Sequence, residues 1–127
     1  MKPCLHFFTL LAALLLASPA MADVLGAWRV QGQVSGNPFV LDCHFVPAGA
    51  GFGGTCTGAA NGDPKFAGKV YTLKQGTETG SQVSFSYPSH YLFVSFQVTY
   101  QGTLTGDKMT GSVTAAGRQG NFTASRE

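Results

Sequence analysis

Apolar and polar residues alternate along most of this chain. Over Val24 to Val34, Trp28, Val30, Gly32 and Val34 share one face, and Arg29, Gln31 and Gln33 share the other. A period of two belongs to a half-buried β-strand and not to a helix. Ser35-Gly36-Asn37-Pro38 ends that strand, and a two-residue turn at Gly36-Asn37 predicts a hairpin. Val34 would then face Phe39, Gly32 Leu41, Val30 Cys43 and Trp28 Phe45, with Val40, Asp42 and His44 outward. A one-residue slip would put every one of these side chains on the wrong face.

The same reading continues to the C-terminus. A turn at Gly49-Ala50 sets Cys43 opposite Cys56, although a longer loop would change the parity. A third strand, Phe52 to Ala59, is glycine-rich and thin, and Asn61-Gly62-Asp63-Pro64 turns the chain. A fourth strand over Lys65 to Leu73 would point Phe66, Gly68, Val70 and Thr72 inward and Lys65, Lys69 and Tyr71 outward. Gln75 to Gly80 reads as a loop. Val83, Phe85 and Tyr87 form the inner face of a fifth strand, which Pro88-Ser89 would turn.

A sixth strand carries Leu92, Val94, Phe96, Val98 and Tyr100 inward, with Tyr91 and Phe93 outward. Gly102 to Lys108 reads as a loop or ragged hairpin. Met109, Gly111, Val113 and Ala115 make a seventh strand. A turn at Gly117-Arg118 would pair Val113 with Phe122, Gly111 with Ala124 and Met109 with Arg126 in an eighth strand over Asn121 to Arg126. Eight short strands in sequence predict an all-β fold, an antiparallel up-and-down (meander) β-barrel whose closure removes exposed edges. A two-sheet sandwich is the alternative. Glycines inside the strands, Gly32, Gly58, Gly68 and Gly111, suit the bends of a small barrel. In an even-numbered meander the first strand's start and the last strand's end meet. Trp28 and Arg126 would meet there, and a guanidinium stacked on the indole would offset the cost of an inward charge.

The residues ahead of the first strand have a different character. Lys2, an apolar run from Phe7 to Ala17, and Ala20-Met21-Ala22 before Asp23 read as a secretory signal peptide over 1–22. The run is too short for a membrane span, which needs roughly 20 residues. The remaining domain, 23–127, is then exported to the periplasm or the extracellular space. The eight Lys/Arg and six Asp/Glu become seven and six once Lys2 is excluded. A total so near neutral gives no electrostatic footprint for nucleic acid or an anionic membrane. Of the three cysteines, Cys43 and Cys56 remain, and an even count in an exported domain predicts a disulfide. A metal pair or a reactive thiol is the alternative.

Gly26 and Trp28 on the first strand and Arg126 on the last resemble the signature of the calycin superfamily, which includes lipocalins, fatty-acid-binding proteins, avidins and bacterial metalloprotease inhibitors. The resemblance implies a closed barrel with tryptophan and arginine sealing one end, and it implies no single activity. The layout, with one disulfide near the second and third strands, is most similar to the exported inhibitors. Those carry an N-terminal arm ahead of the Gly-x-Trp strand, whereas cleavage after Ala22 leaves three residues before Gly26. The run from Met109 to Arg126 also resembles small exported bacterial proteins.

Candidate chemistry is sparse. Asp42 and His44 share an outward face without a third ligand, and His90 beside Ser89 lacks an acid partner and an oxyanion loop, so no catalytic residues, metal or cofactor are expected. The protein reads as a binding module and not an enzyme. Ten inward aromatics, Trp28 and Tyr100 among them, favour a packed interior. Inward glycines on the third and fourth strands would leave space, and an eight-stranded barrel can hold one small ligand. A pocket for a small apolar ligand is expected near Phe85, Tyr87, Phe96 and Tyr100. The alternative is a protein-binding barrel, such as a periplasmic protease inhibitor, acting through Val40, Tyr91 and Phe93.

Overall fold

The computed structural model describes residues 23–127, and the leader read in 1–22 lies outside the described residues. The fold is a closed, antiparallel, up-and-down β-barrel without helices among the described residues. Its strands are β1 (Gly26–Val34), β2 (Asn37–Ala48), β3 (Gly51–Gly58), β4 (Val70–Thr72), β5 (Gln75–Thr79), β6 (Gln82–Tyr91), β7 (Val94–Thr105), β8 (Lys108–Ala115) and β9 (Arg118–Arg126).

Nine strands make eight staves. β4 and β5 both pair with β3, through Thr55–Thr72 and Phe52–Gly76. Between these pairs two residues on one side, Gly53 and Gly54, face three on the other, Leu73 to Gln75, a one-residue bulge around Leu73-Lys74. β2 pairs with β3 and β1 with β9, so the sheet has no free edge and the sandwich is excluded.

The two hairpin registers differ from expectation by two residues each. Val34 faces Asn37 and Trp28 faces Cys43, and at the other hairpin Val113 faces Gly120 and Met109 faces Ala124. The turns are Ser35-Gly36 and Ala116-Gly117, with φ of 52° and 83° in one and 52° and 78° in the other. Two positive φ values in succession mark type I′ turns, whose backbone twist suits paired strands. Glycine takes the second position, not the first. A shift of two leaves the faces unchanged, so Trp28, Val30, Leu41, Cys43 and Phe45 are all buried.

Other boundaries also move. Residues 59–69 are turns and not a strand, and Gly68 sits there at φ 79°. Beyond them Tyr71 and Leu73 point inward and Val70 is exposed, opposite to the expected parity. Gln75 to Thr79 is strand and not loop. Pro88-Ser89 does not turn the chain: β6 runs on to Tyr91, and Leu92-Phe93 makes the turn. β7 likewise continues through Gly102 and Leu104 to Thr105. Leu92 and Val94, expected inward, are exposed.

The Cys43–Cys56 disulfide forms across β2 and β3, its Cα atoms 3.9 Å apart. The turn at Gly49-Ala50 sets that register as expected. Such a bond persists in oxidising compartments.

Candidate functional site

The two ends of the barrel are built differently. The end where β1 begins and β9 stops is sealed. Trp28 is fully buried and donates its indole N–H to the Val24 carbonyl at 2.8 Å. The Arg126 guanidinium lies 4.4 Å from the indole centroid. It donates to the Leu25 carbonyl at 2.9 Å, to the Asp23 carbonyl at 2.6 Å and to the Asp107 carboxylate at 3.0 Å. A planar cation with several fixed donors can do all of this at once. Above this seal the interior is solid. Phe45 packs on Phe52 and on Phe85, each pair 5.0 Å apart by ring centroids, with Met109 and Val83 buried alongside.

The packed half ends at Tyr100, whose ring stacks on Phe85 at 4.5 Å. Beyond it lies a cavity of about 610 Å³, open at the end that carries the Ser35-Gly36, Leu92-Phe93 and Ala116-Gly117 turns. Its walls include Phe39, Leu41, Tyr71, Phe96 and Val98, and Tyr87 and Tyr100 bound its deep side. Tyr71 stacks on Tyr87 at 4.8 Å.

The Tyr87 and Tyr100 hydroxyls are 2.7 Å apart, and one donates to the other. That bond uses one of the pair's two hydroxyl hydrogens. The second is free to serve an acceptor in the cavity. Burial, above all else, raises both phenols well above the ordinary tyrosine range, so both stay neutral donors.

Of the candidate ligand residues, Tyr87, Phe96 and Tyr100 line the cavity, and Phe85 lies in the packed half beneath them. Tyr71 also lines it, although the fourth-strand parity points it outward. The turns over 59–69, with Gly68 at φ 79°, account for that: the strand starts only at Val70, so an alternation counted from Phe66 does not carry through to it. Lys65, Lys69, Arg118 and His90 stand at the mouth. Sequence spacing does not associate them, because they come from three separate segments.

The candidate partner residues are not brought together. Val40 is half-buried against Gly62 on β2, while Tyr91 and Phe93 lie across the barrel at the β6–β7 turn. Asp42 accepts from Arg29 at 2.7 Å, and His44 is exposed on the outer face. No group of three or more potential metal ligands occurs among the described residues. No protein-family model matches the chain, and no curated protein or solved structure matches it either.

Proposed function

We propose that this protein is an exported binding module whose open half-barrel holds a small apolar ligand bearing one hydrogen-bond acceptor. The observation that carries this reading is the division of the interior. Half is filled with rings, and half is an apolar chamber of about 610 Å³ that ends on a buried tyrosine pair. Chambers of roughly 300–1,000 Å³ with apolar walls and a few convergent polar groups suit drug-sized ligands. A leader over 1–22 and the Cys43–Cys56 bond support export. The Gly26, Trp28 and Arg126 seal supports grouping the barrel with the calycins.

Titration with the uncharged fluorophore N-phenyl-1-naphthylamine tests the reading, alongside native mass spectrometry of protein purified from its host. One probe per chain is expected to bind. Val98→Trp, which fills the chamber from its wall, weakens binding at least about ten-fold while the fold persists. Equal binding by both proteins would place the probe elsewhere and end the proposal. The exposed tip at Tyr91 and Phe93 favours a second reading, action through the surface.

A further inference from the structure

Tyr91, Leu92, Phe93 and Val94 form an uninterrupted apolar hairpin tip, with exposures of 60%, 73%, 100% and 60%. The other hairpin turns are built from small or polar residues: Ser35-Gly36, Gly49-Ala50, Gly80-Ser81, Gly106-Asp107 and Ala116-Gly117. At the tip Leu92 adopts φ 57°, a left-handed conformation that strains leucine and not glycine. The chain therefore keeps large apolar side chains where both solvation and backbone geometry favour a glycine. Such a cost points to a use.

The carboxylates of the molecule are unevenly placed along the barrel axis, while cations occur at both ends. Lys65, Lys69 and Arg118 stand at the tip's end, with His90, and Asp63 is the one carboxylate there among the described residues. The remaining five carboxylates lie toward the sealed end or along the wall. Asp42 and Glu127 face Arg29, and Asp107 faces Arg126. The near-neutral total therefore hides an open end of net +2, three cations against one carboxylate, and it does not exclude an anionic surface as partner.

We propose that the open end docks on lipid bilayers containing anionic headgroups, with the Tyr91–Val94 tip inserted into the interface and Lys65, Lys69 and Arg118 on the headgroups. An exposed apolar point with aromatic residues, at the barrel end that also carries three cations at the cavity mouth, matches the layering of a bilayer interface. A protein partner would need a deep pocket to cover a fully exposed phenylalanine. Docking directs the cavity mouth at the membrane. The interaction itself does not depend on cavity occupancy, so its failure and the failure of the ligand reading are separate outcomes.

Phe93→Trp makes the test local, because Trp28 is fully buried and its emission is a constant background. The variant is mixed with vesicles of phosphatidylcholine alone or with about 30% phosphatidylglycerol. The expected result is a blue shift with the anionic vesicles and quenching by brominated acyl chains. Binding weakens roughly five-fold for each of Lys65→Gln, Lys69→Gln and Arg118→Gln, and further in high salt. For the otherwise unaltered protein, Leu92→Ser with Phe93→Ser lowers vesicle co-sedimentation at least about ten-fold. No shift on anionic vesicles would overturn the proposal. So would a shift that follows protein concentration without vesicles, which would mean a second copy covers the tip. An equal shift on neutral and anionic vesicles, unchanged by the lysine variants, would remove the headgroup role and overturn it as stated.

Discussion

Trp28 and Arg126 are cross-strand neighbours drawn from opposite ends of the described chain. Each serves the other. The indole gives the guanidinium a face, and the guanidinium fastens the carbonyls of the entering segment over the indole. Trp28→Ala empties a fully buried site and is expected to cost about 3–5 kcal/mol in urea unfolding. A loss under about 1 kcal/mol would mean that the seal is not structural. Tyr87 and Tyr100 allow a pH prediction at the same scale. Their pKa values are raised by burial, so the fold favours the neutral phenol. That contribution is complete below the unfolded value of about 10 and is lost as pH rises from there through the folded values. In a Tyr71→Phe, Tyr91→Phe background, phenolate absorbance stays flat through about pH 10 and rises only as the fold is lost. A step near pH 10 with circular dichroism unchanged would contradict this burial.

At the scale of the element, the glycines explain which strands were legible. Phe122 is paired with Gly32 on one side and Gly111 on the other, and Gly102 lies beyond Gly111. The Phe122 ring fills the space at Gly102, where an added Cβ would lie 2.9 Å from its Cζ. An added Cβ at Gly111 would run into the Gln101 carbonyl oxygen. Gly111→Ala is therefore expected to destabilise by about 1–3 kcal/mol, and an unchanged denaturation midpoint would show that the strands can part without cost. Gly76 works similarly: a Cβ there would lie 2.6 Å from the Phe52 ring. β5 presents Gly76 and Glu78 inward, so Gln75 to Thr79 has no alternation to detect and reads as a loop. The same holds for β7 at Gly102. Strands that supply their own bulk, β1, β2 and β6, were readable with their faces. β5 and the end of β7 from Gly102, which accept a neighbour's bulk where alternation would show, were not.

At the scale of the molecule, closure is the property that decides edges. The β1–β9 seam carries a full antiparallel ladder from Trp28–Arg126 to Val34–Gly120. Hydrogen exchange is expected to protect amides of this seam as strongly as those of β6–β7. Fast exchange confined to β1 and β9 would indicate an open sheet. Closure also accounts for the divided interior. Rings collect below Tyr100, Tyr71 stacks on Tyr87 in the upper half, and the 59–69 segment borders the mouth instead of filling the lumen.

The chain's own order of residues determined much of this protein. Alternation assigned the inner and outer faces of most strands, because burial on one side of a sheet demands it. The cysteine spacing and the Gly49-Ala50 turn determined the disulfide register. Tryptophan near the start and arginine near the end determined how the barrel is sealed. Within the candidate site, Tyr87, Phe96 and Tyr100 were legible for the same reason of alternation. Tertiary structure alone decided the rest. Turn positions depended on which backbone could adopt two positive φ values in succession, and both candidate turns carried a glycine. The parity of Tyr71 depended on the turns over 59–69, which interrupt any alternation counted from Phe66. The hollow half depended on where rings from distant strands stacked, and the cationic mouth on three segments meeting at one end. Net charge and composition are sums over the chain, and a sum holds no record of where in space its members lie.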